Sequence, residues 1–574
     1  DTVDETRTAM GARALRKRLL EPLLSVAAIE KRLDQVDSLY RDQRSLEKVR
    51  RHLSACLDLE RLAARLAMDR AGPRDLLAMA ATLDAAVRVE DAVPESGREL
   101  LTVFASAAER ERARAFMDTV RSAIASEPSA AISEGGVIND GWNAELDGLR
   151  ALKSDAHGVL AAYLEDERAA TGITGLRVKY NRVIGYYLEL SKKDAPKVPS
   201  HFIRRQSDIN AERYSTERLS ALESDINGAQ ERIAELEQRL FADVRSLLRN
   251  DAGLLADAAA ALSDVDCASS LAWTATTKNY VRPLVDDSDV LAVDGGRHPV
   301  VEAHAPSGDF VPNDVSLNED GVSFALITGP NMAGKSTFLR QNALIVLLAQ
   351  AGSFVPASRA RVGVADRIFC RVGAQDNLAR GESTFLLEMH ETASILNNAG
   401  RKSLVIMDEV GRGTGTLDGL SIAWAVSEHI LDNIQCRALF ATHYHELTAL
   451  RHPKLRDLSM SVEEREGSVV FKRRVVPGPA AGSFGIHVAG LAGLPKSVLA
   501  RAQAIKTELE AQEKRLPEYG APAPSRVPDS GSLFSVEDMV LGELRSMDLN
   551  KMTPLEAMNR LAALKAGLSA KKGA

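Results

Sequence analysis

The sequence has 574 residues, of which 45% are hydrophobic and 26% are charged, and its formal net charge is −7. This length exceeds one hydrophobic core and predicts several domains, while the acidic balance excludes a uniformly basic nucleic-acid binder, so any such contact must come from a local basic patch. The four cysteines are far apart and form no C-x-x-C pair, which argues against a disulfide framework or a zinc site and predicts a cytoplasmic protein.

Residues 1–171 are predicted to form a helical core and a lever. Apolar residues recur there at helical spacing, as in Leu15, Leu19, Leu20, Leu23 and Leu24. A turn-rich connector over 134–141 precedes a further predicted helix, 144–169. The chain begins at Asp1 rather than Met, which indicates a fragment, and neither a signal peptide nor an apolar run of membrane length is visible, so no membrane partner is predicted.

Residues 172–207 are predicted to form a β-rich insert that contacts DNA. The stretch is rich in Val and Tyr, and residues 177–213 carry nine Lys or Arg against four Asp or Glu. A basic sheet with tyrosines suits contact with a phosphate backbone without base reading, although charge alone also fits a solvated hairpin. The candidate DNA contacts are Lys192, Lys193, Lys197, Arg204 and Arg205.

Residues 208–284 are predicted to hold the returning lever helix and the rest of the core. From Leu219 to Leu247 the apolar residues alternate steps of three and four, a coiled-coil-like seam. About 30 helical residues span roughly 45 Å. Two long antiparallel helices therefore form a lever, and the insert between them is predicted to be its functional tip.

Residues 285–510 are predicted to form an α/β domain with a phosphate-binding loop. An apolar run, 322–328, leads into G-P-N-M-A-G-K-S and then into a helix-like run, 335–350. Glycines let backbone N–H groups surround phosphate oxygens, and the helix N-terminus favours the same anion. Lys335 is expected to reach the β- and γ-phosphates, and Ser336 to bind Mg²⁺. The loop consists of Gly329, Pro330, Asn331, Met332, Ala333, Gly334, Lys335 and Ser336.

Two further strands of this domain are predicted to end in functional groups. The run S-L-V-I-M-D-E places Asp408, for Mg²⁺, and Glu409, for the attacking water, at a strand tip. His443 follows the strand 438–442 and either senses the γ-phosphate or is an ordinary loop histidine.

By pattern alone, Ser383 is a helix N-cap and Phe310 is a core residue, though an aromatic near such a loop can stack on adenine.

The last part of the chain is predicted to be a linker followed by a small module. Residues 511–532 are rich in Pro, Ser and Gly. Residues 533–574 are predicted to be helical, with a capping box at Thr553 and few core residues. We expect this module to dock on another copy of the chain.

Four motifs together resemble the MutS family of DNA mismatch repair ATPases. They are the loop 329–336 with Thr337, G-E-S-T-F-L-L-E-M at 381–389, M-D-E-V-G-R-G-T at 407–414, and F-A-T-H-Y at 440–444. Their order and spacing are highly specific, and the likeness covers roughly residues 1–510. The insert and returning helix resemble the family's DNA clamp and lever.

The resemblance implies an ATP-hydrolysing clamp on double-stranded DNA with Mg²⁺ as cofactor. It implies a phosphate contact for Asn331 and adenine stacking for Phe310. It also implies a γ-phosphate contact for Ser383 across a homodimer and a nucleotide-state switch at His443. A tetramer formed through the tail, a MutL-type repair partner, a sliding clamp and association with the nucleoid are implied in the same way.

Three departures from the family pattern stand out. Ala333 replaces a glycine of the usual loop, which a negative φ would tolerate, and Gly415 replaces a serine. The family's mismatch-reading and connector domains are not within this chain. Two alternatives remain open, a recombination-type MutS paralogue that binds branched DNA, and a transporter-type (ABC) or SMC-like structural ATPase.

Overall fold

The computed structural model describes most of the chain. The described residues are 2–129, 131–181, 184–207, 211–306, 308–330, 333–372, 384–465, 468–480, 485–513 and 561. The chain is a multi-domain α/β protein with separate helical layers and mixed sheets, as expected, and it divides into two compact units at residues 491 and 492. The expected linker, 511–532, and terminal module, 533–574, lie outside the described residues except for 511–513 and 561.

Six helices open the chain. They are α1 Ala9–Leu20, α2 Val26–Arg41, α3 Gln43–Leu53, α4 Leu59–Ala67, α5 Pro73–Ala92 and α6 Ala107–Ala123. Polar side chains cap the first four of them, because each accepts a hydrogen bond from an otherwise unpaired N–H group of the first turn. These caps are Thr8, Ser25, Asp42 and Asp58. The helix starts are therefore fixed locally by sequence.

The part of the chain expected to form the lever contains three helices rather than two. The predicted helix 144–169 is interrupted at Asp155, which separates α7 Ala144–Ser154 from α8 Ala156–Thr171. The chain returns through α9 Glu217–Arg249, whose 33 residues span about 50 Å, and α10 Ala252–Lys278. Helix α10 is apolar on most of its surface and contacts α1 to α4, so it forms the centre of the helical core.

The insert is a four-stranded antiparallel sheet at the tip of α8 and α9. Its strands are β1 Arg177–Asn181, β2 Gly185–Ser191, β3 Ile203–Ser207 and β4 Ala211–Ser215, in the order β1-β2-β4-β3. The expected boundary at residue 207 therefore cuts the sheet. The sequence A-E-R-Y-S of β4 has little apolar alternation, and its strand state comes from pairing with both β2 and β3.

The rest of the first unit contains two further sheets. The smaller sheet, in the order β5-β9-β6-β7, consists of β5 Leu284–Asp286, β6 Leu291–Gly296, β7 Asn313–Leu317 and β9 Arg359–Gly363. The larger sheet, in the order β10-β11-β12-β8-β13-β14, consists of β8 Phe324–Thr328, β10 Ile368–Arg371, β11 Leu404–Asp408, β12 Arg437–Ala441, β13 Leu455–Arg465 and β14 Ser468–Pro477. All its pairings are parallel except β13 with β14.

The remaining helices lie between or after the strands of these two sheets in the chain. They are α11 Pro299–His304, α12 Lys335–Ala351, α13 Thr384–Asn398, α14 Thr416–His429 and α15 Gly485–Leu491, while α16 Lys496–Glu513 belongs to the second unit. Short 3₁₀ or π turns occur at Glu95–Gly97, Ile132–Glu134, Ala195–Lys197, Ile430–Ile434 and His445–Ala449. Within the described ranges, no helix is both long and apolar enough to cross a bilayer.

Alternate residues of the central strands are buried on opposite faces of the larger sheet. Ile406 and Leu439 belong to the core shared with the helical layer, whereas Met407 and Phe440 belong to a second core under α13 and α14. Burial on both faces explains why these strands appear in the sequence as continuous apolar runs. The candidate site lies at the carboxyl ends of these buried strands.

Candidate functional site

The carboxyl ends of four parallel strands meet at one edge of the larger sheet. Asp408 pairs with Ala441 in register, Ala441 pairs with Ile327, and Thr328 pairs with Ser459. The loop after β8, the acid pair after β11 and the histidine after β12 therefore lie side by side. The structure brings together the residues predicted from three separate motifs at this edge, where open α/β sheets bind ligands.

Two glycines give the loop after β8 its shape. Gly329 has φ 134° and Gly334 has φ 104°, conformations that side chains disfavour. A Cβ atom on Gly329 would lie 3.1 Å from Cβ of Met460, and one on Gly334 would lie 3.3 Å from Cε of Met460. Met460, which the sequence did not single out, supports the loop from β13.

The alanine of the loop, Ala333, is fully buried. The tolerance of its methyl group, expected for a negative φ, stays a prediction. Its N–H group donates to the carbonyl oxygen of Pro330 at 3.3 Å. Asn331 and Met332 lie outside the described residues.

Lys335 and Ser336 open helix α12 and turn toward the acid pair. Nζ of Lys335, 4% exposed, donates to the carbonyl oxygen of Gly329 at 2.5 Å and lies 3.9 Å from Oε1 of Glu409. Burial lowers the pKa of this ammonium group, and the charges of Glu409 and Asp408 oppose that shift. The hydroxyl of Ser336 donates to Oδ2 of Asp408 at 2.5 Å.

The second carboxylate oxygen of Asp408 is buried without a hydrogen-bond partner among the described residues. Burial raises the pKa of this carboxyl group, and the hydrogen bond from Ser336 opposes the shift. An unsatisfied buried oxygen beside a serine hydroxyl is an oxygen-only donor set, the kind that Mg²⁺ prefers. The residues present therefore fit the predicted metal.

Glu409 occupies a strained position directly after β11. Its φ is 55°, in the left-handed region that few non-glycine residues adopt, and its N–H group donates to the carbonyl oxygen of Ala441 at 2.9 Å. Its carboxylate is 2.8 Å from the guanidinium of Arg412. In this conformation the side chain lies across the strand ends, with Oε1 3.9 Å from Nζ of Lys335.

The remaining predicted site residues lie around this edge or outside the described part. His443 is exposed, desolvation lowers the pKa of its imidazole, and the Glu409 carboxylate opposes the shift. Phe310 is half-buried in the loop before β7, and Thr337 lies in the first turn of α12. Ser383 lies outside the described residues, directly before α13.

The five candidate DNA contacts are all exposed, but two of them are already paired within the sheet. Arg204 forms a bidentate pair with Glu212, at 2.7 and 2.8 Å, and Lys197 lies 3.3 Å from Asp194. The others, Lys192, Lys193 and Arg205, have no ion-pair partner among the described residues. These three cations are the available ones.

Comparison with known proteins covers nearly the whole chain. Residues 1–272 match the model of MutS domain III, and residues 325–510 match that of MutS domain V. A DNA mismatch repair protein MutS of Treponema denticola is 46% identical over 100% of this chain and 66% of its own length. One of Anaeromyxobacter dehalogenans is 45% identical over 99% of this chain and 67% of its own length. The chain belongs to the MutS family.

The similarity favours a repair-type MutS over both alternatives. A relative from Salinibacter ruber, 43% identical over 99% of this chain, carries the same mismatch repair name. This MutS chain spans about two thirds of the length of the relatives it matches, 66% of the Treponema denticola protein. The mismatch repair names of these relatives do not favour a recombination-type paralogue, and the family assignment does not favour a transporter subunit or an SMC-like protein.

Sequence reasoning missed a buried network behind the MutS site. Oε1 of Glu388 on α13 accepts from the N–H group of Gly411 at 2.5 Å, and Oε2 lies 3.3 Å from the guanidinium of Arg371. The hydroxyl of Tyr444 donates to the carbonyl oxygen of Gly411 at 2.9 Å. This network fixes the turn after Glu409 to α13 and to the residue after His443. Glu388, Gly411 and Tyr444 all lie in the quoted motifs, but they are far apart in the sequence, which gives no local signal that they contact one another.

Asp408→Asn is expected to stabilise the ligand-free MutS chain at neutral pH. Because the folded-state pKa of Asp408 lies above its unfolded value, the ionised carboxylate disfavours folding, and the penalty disappears as pH falls through the folded pKa. We expect a rise in Tm of about 1 °C near neutral pH, which corresponds to roughly 1 kcal/mol for a unit of this size. Thermal scans at two pH values should show the difference shrinking in acid.

Asp457→Asn is the matched control for this experiment. Burial also raises the pKa of Asp457, which has a buried unpaired oxygen, Oδ1. Both variants should therefore be stabilised without ligand, but only Asp408→Asn should lose the additional stabilisation by Mg²⁺ and ATP. Equal stabilisation of the two variants by Mg²⁺ and ATP would exclude Asp408 as a metal ligand.

Proposed function

We propose that this chain is the clamp, lever and ATPase body of a MutS-type DNA mismatch repair protein. The observation that carries the proposal is the meeting of Lys335, Ser336, Asp408 and Glu409 at one sheet edge. In the same unit, a sheet with exposed cations sits on a 33-residue helix. A phosphate site joined by a long lever to a basic sheet suits an ATP-driven DNA clamp.

The chemistry assigned to the site is ATP hydrolysis. Lys335 binds the β- and γ-phosphates, with the backbone N–H groups of the loop around them. Ser336 and Asp408 hold Mg²⁺, which neutralises developing charge on the phosphates when bound. Glu409 orients the attacking water and accepts its proton, and the ion pair with Arg412 holds its carboxylate at the strand tip.

Two copies of the chain form the working unit in this proposal. Ser383 of one copy reaches the γ-phosphate bound to the other, Phe310 stacks on adenine, and His443 responds to the nucleotide state. ATP binding closes the paired sites, the levers carry the change to the β-sheets on DNA, and hydrolysis resets the clamp. Assembly into tetramers through the tail, a MutL-type partner, a sliding clamp and a cytoplasmic, nucleoid-associated location complete the proposal.

Duplex binding tests the proposal. We expect salt-sensitive binding of double-stranded DNA, with similar affinity for paired and mismatched duplexes and a change in affinity when ATP is added. The triple variant Lys192→Ala, Lys193→Ala, Arg205→Ala should bind both duplexes more weakly. Its slope of log K against log salt should be smaller by about three, because each lost phosphate contact removes roughly one unit.

The control removes three cations elsewhere. Arg401, Lys402 and Lys454 lie at the amino-terminal edge of the larger sheet, just before β11 and β13. Their triple alanine variant has the same net charge and should keep the wild-type slope. Equal loss of slope in both triple variants would show that general charge, and not the β-sheet insert, attracts DNA. A wild-type preference for mismatched duplex would place discrimination within this chain.

A further inference from the structure

Strand β14 contains an irregularity next to Met460, the residue of β13 that contacts the phosphate loop. In its pairing with β13, Met460 is opposite Val475 and Val462 is opposite Phe471, so β14 has two extra residues over this interval. Arg473 lies within the extra segment, with φ 53°. An exposed arginine in the left-handed region is strained, and the strain persists only where surrounding contacts hold it.

The side chain of Asn313 holds this bulge. Oδ1 of Asn313 accepts from the N–H group of Val475 at 2.7 Å, and Nδ2 donates to the carbonyl oxygen of Arg473 at 2.9 Å. Nδ2 also donates to the carbonyl oxygen of Val311 at 3.2 Å. Asn313 is 7% exposed. Its amide supplies both the donor and the acceptor that the irregular strand pairing leaves unsatisfied, which neither an apolar side chain nor a carboxylate can do.

The backbone of Asn313 is tied to the helix that carries Lys335. Nε2 of Gln341, a fully buried residue of α12, donates to the carbonyl oxygen of Asn313 at 3.3 Å. The neighbouring strand leaves room for this contact, because a Cβ atom on Gly296 would lie 2.5 Å from Nε2 of Gln341. Gly296 pairs with Asn313 in the sheet.

The bulge also connects to the phosphate loop from the other side. Met460, opposite Val475, is the side chain that packs under Gly329 and Gly334. Asn313 is therefore joined to the phosphate loop through α12 and through β13. It also ends the loop 308–312, which contains Phe310.

We propose that Asn313 is a positioning residue that holds the Phe310 loop in register with the phosphate loop. The inference rests on the proposed ATPase function and specifies how adenine and triphosphate are bound at a fixed separation. Removing the amide frees one end of the Phe310 loop, while the phosphate loop keeps its contacts with α12 and Met460. Loss of Asn313 should therefore weaken recognition of the base and spare recognition of the phosphates.

The test compares the affinities for ATP and for inorganic triphosphate, which has no base. Asn313→Ala should bind ATP roughly tenfold more weakly, because the Phe310 loop is less well held, and bind triphosphate within about twofold of wild type. The KM for ATP should rise while kcat changes little. Asn313→Asp keeps the acceptor and loses the donor, so it should show the same selective loss if the alanine variant fails to fold.

Asn318→Ala is the matched control, because Asn318 follows the other end of β7. Its Nδ2 donates to the carbonyl oxygen of Asp289 at 2.9 Å, and its φ is 62°, so alanine should lower Tm there. The ratio of ATP to triphosphate affinity should not change in this variant. An equal change of the ratio in Asn313→Ala and Asn318→Ala would overturn the proposal, because general loosening of the sheet would then explain both.

Combining Asn313→Ala with Phe310→Ala separates failure of this inference from failure of the proposed function. Positioning through Phe310 predicts that the double variant binds ATP no more weakly than the weaker single variant. A changed ratio in Phe310→Ala with a wild-type ratio in Asn313→Ala would overturn the positioning role alone. A wild-type protein that binds neither ATP nor triphosphate would overturn the proposed function. A wild-type protein that binds both equally would overturn the positioning role, because there would be no base recognition for Asn313 to support.

Discussion

Lys335→Ala is expected to abolish ATP binding at micromolar protein and to reduce hydrolysis to background. The ammonium group is 4% exposed, 2.5 Å from the carbonyl oxygen of Gly329 and 3.9 Å from Glu409, so it occupies the centre of the sheet edge. Burial already lowers its pKa, and a bound triphosphate would supply the negative charge that favours its protonated form. Losing two charge-assisted hydrogen bonds should weaken binding by about a hundredfold or more.

Lys402→Ala provides the control for this loss. Lys402 lies at the opposite end of β11 from Asp408, and its Nζ donates to the carbonyl oxygen of Asp287. The Lys402→Ala variant loses one positive charge, as Lys335→Ala does. Its ATP affinity, measured by titration calorimetry, should equal that of the wild type. Tight ATP binding by Lys335→Ala, with the fold verified by circular dichroism, would contradict the phosphate-binding role of the loop.

Local sequence signals were sufficient for the elements that surround this loop. The apolar run 322–328, the glycine pattern and the helix-like run 335–350 correspond to β8, the loop and α12 within two residues. Each signal lies within a few residues of the element it specifies. The apolar runs at 403–409 and 438–442 matched β11 and β12 for the same reason, because a strand buried on both faces is apolar throughout.

Residues that support the site from a distance were not predictable in this way. Met460 reaches the phosphate loop only because β13 pairs with β8, more than a hundred residues earlier in the chain. Glu388 contacts Gly411 through the packing of α13 on the turn after β11. A lone methionine on a strand carries no pattern, and the motif that contains Glu388 does not specify what its carboxylate contacts, so both roles depend on tertiary contacts.

The sequence also did not predict where the β-sheet insert ends or which of its cations are paired. Strand β4 extends the sheet to Ser215, although its sequence lacks a strand signature. Counting charges predicted a basic surface but gave Arg204 the same weight as Arg205. The structure separates them, because the guanidinium of Arg204 is held by Glu212. Availability of a cation depends on its partners, which composition does not specify.

Glu409→Gln is expected to bind ATP with wild-type affinity and to hydrolyse it about 10² to 10⁴ times more slowly, the usual contribution of a general base. The amide has the same shape and can still accept from Arg412, so the left-handed backbone and the turn after β11 should be retained. It cannot take a proton from water. Single-turnover hydrolysis and equilibrium ATP binding, measured on the same protein, separate the two effects.

Glu428→Gln is the matched control, because Glu428 is a glutamate of α14 that accepts from the indole N–H of Trp424 at 2.9 Å, away from the strand tips. It should keep wild-type turnover. Wild-type turnover by Glu409→Gln would remove this residue from the chemistry and leave its strained backbone without a catalytic reason. Slow turnover with intact binding would instead give a protein held in its ATP state. If the lever transmits that state, the DNA affinity of Glu409→Gln with ATP should stay at its ATP-bound value long after the wild-type protein has reset.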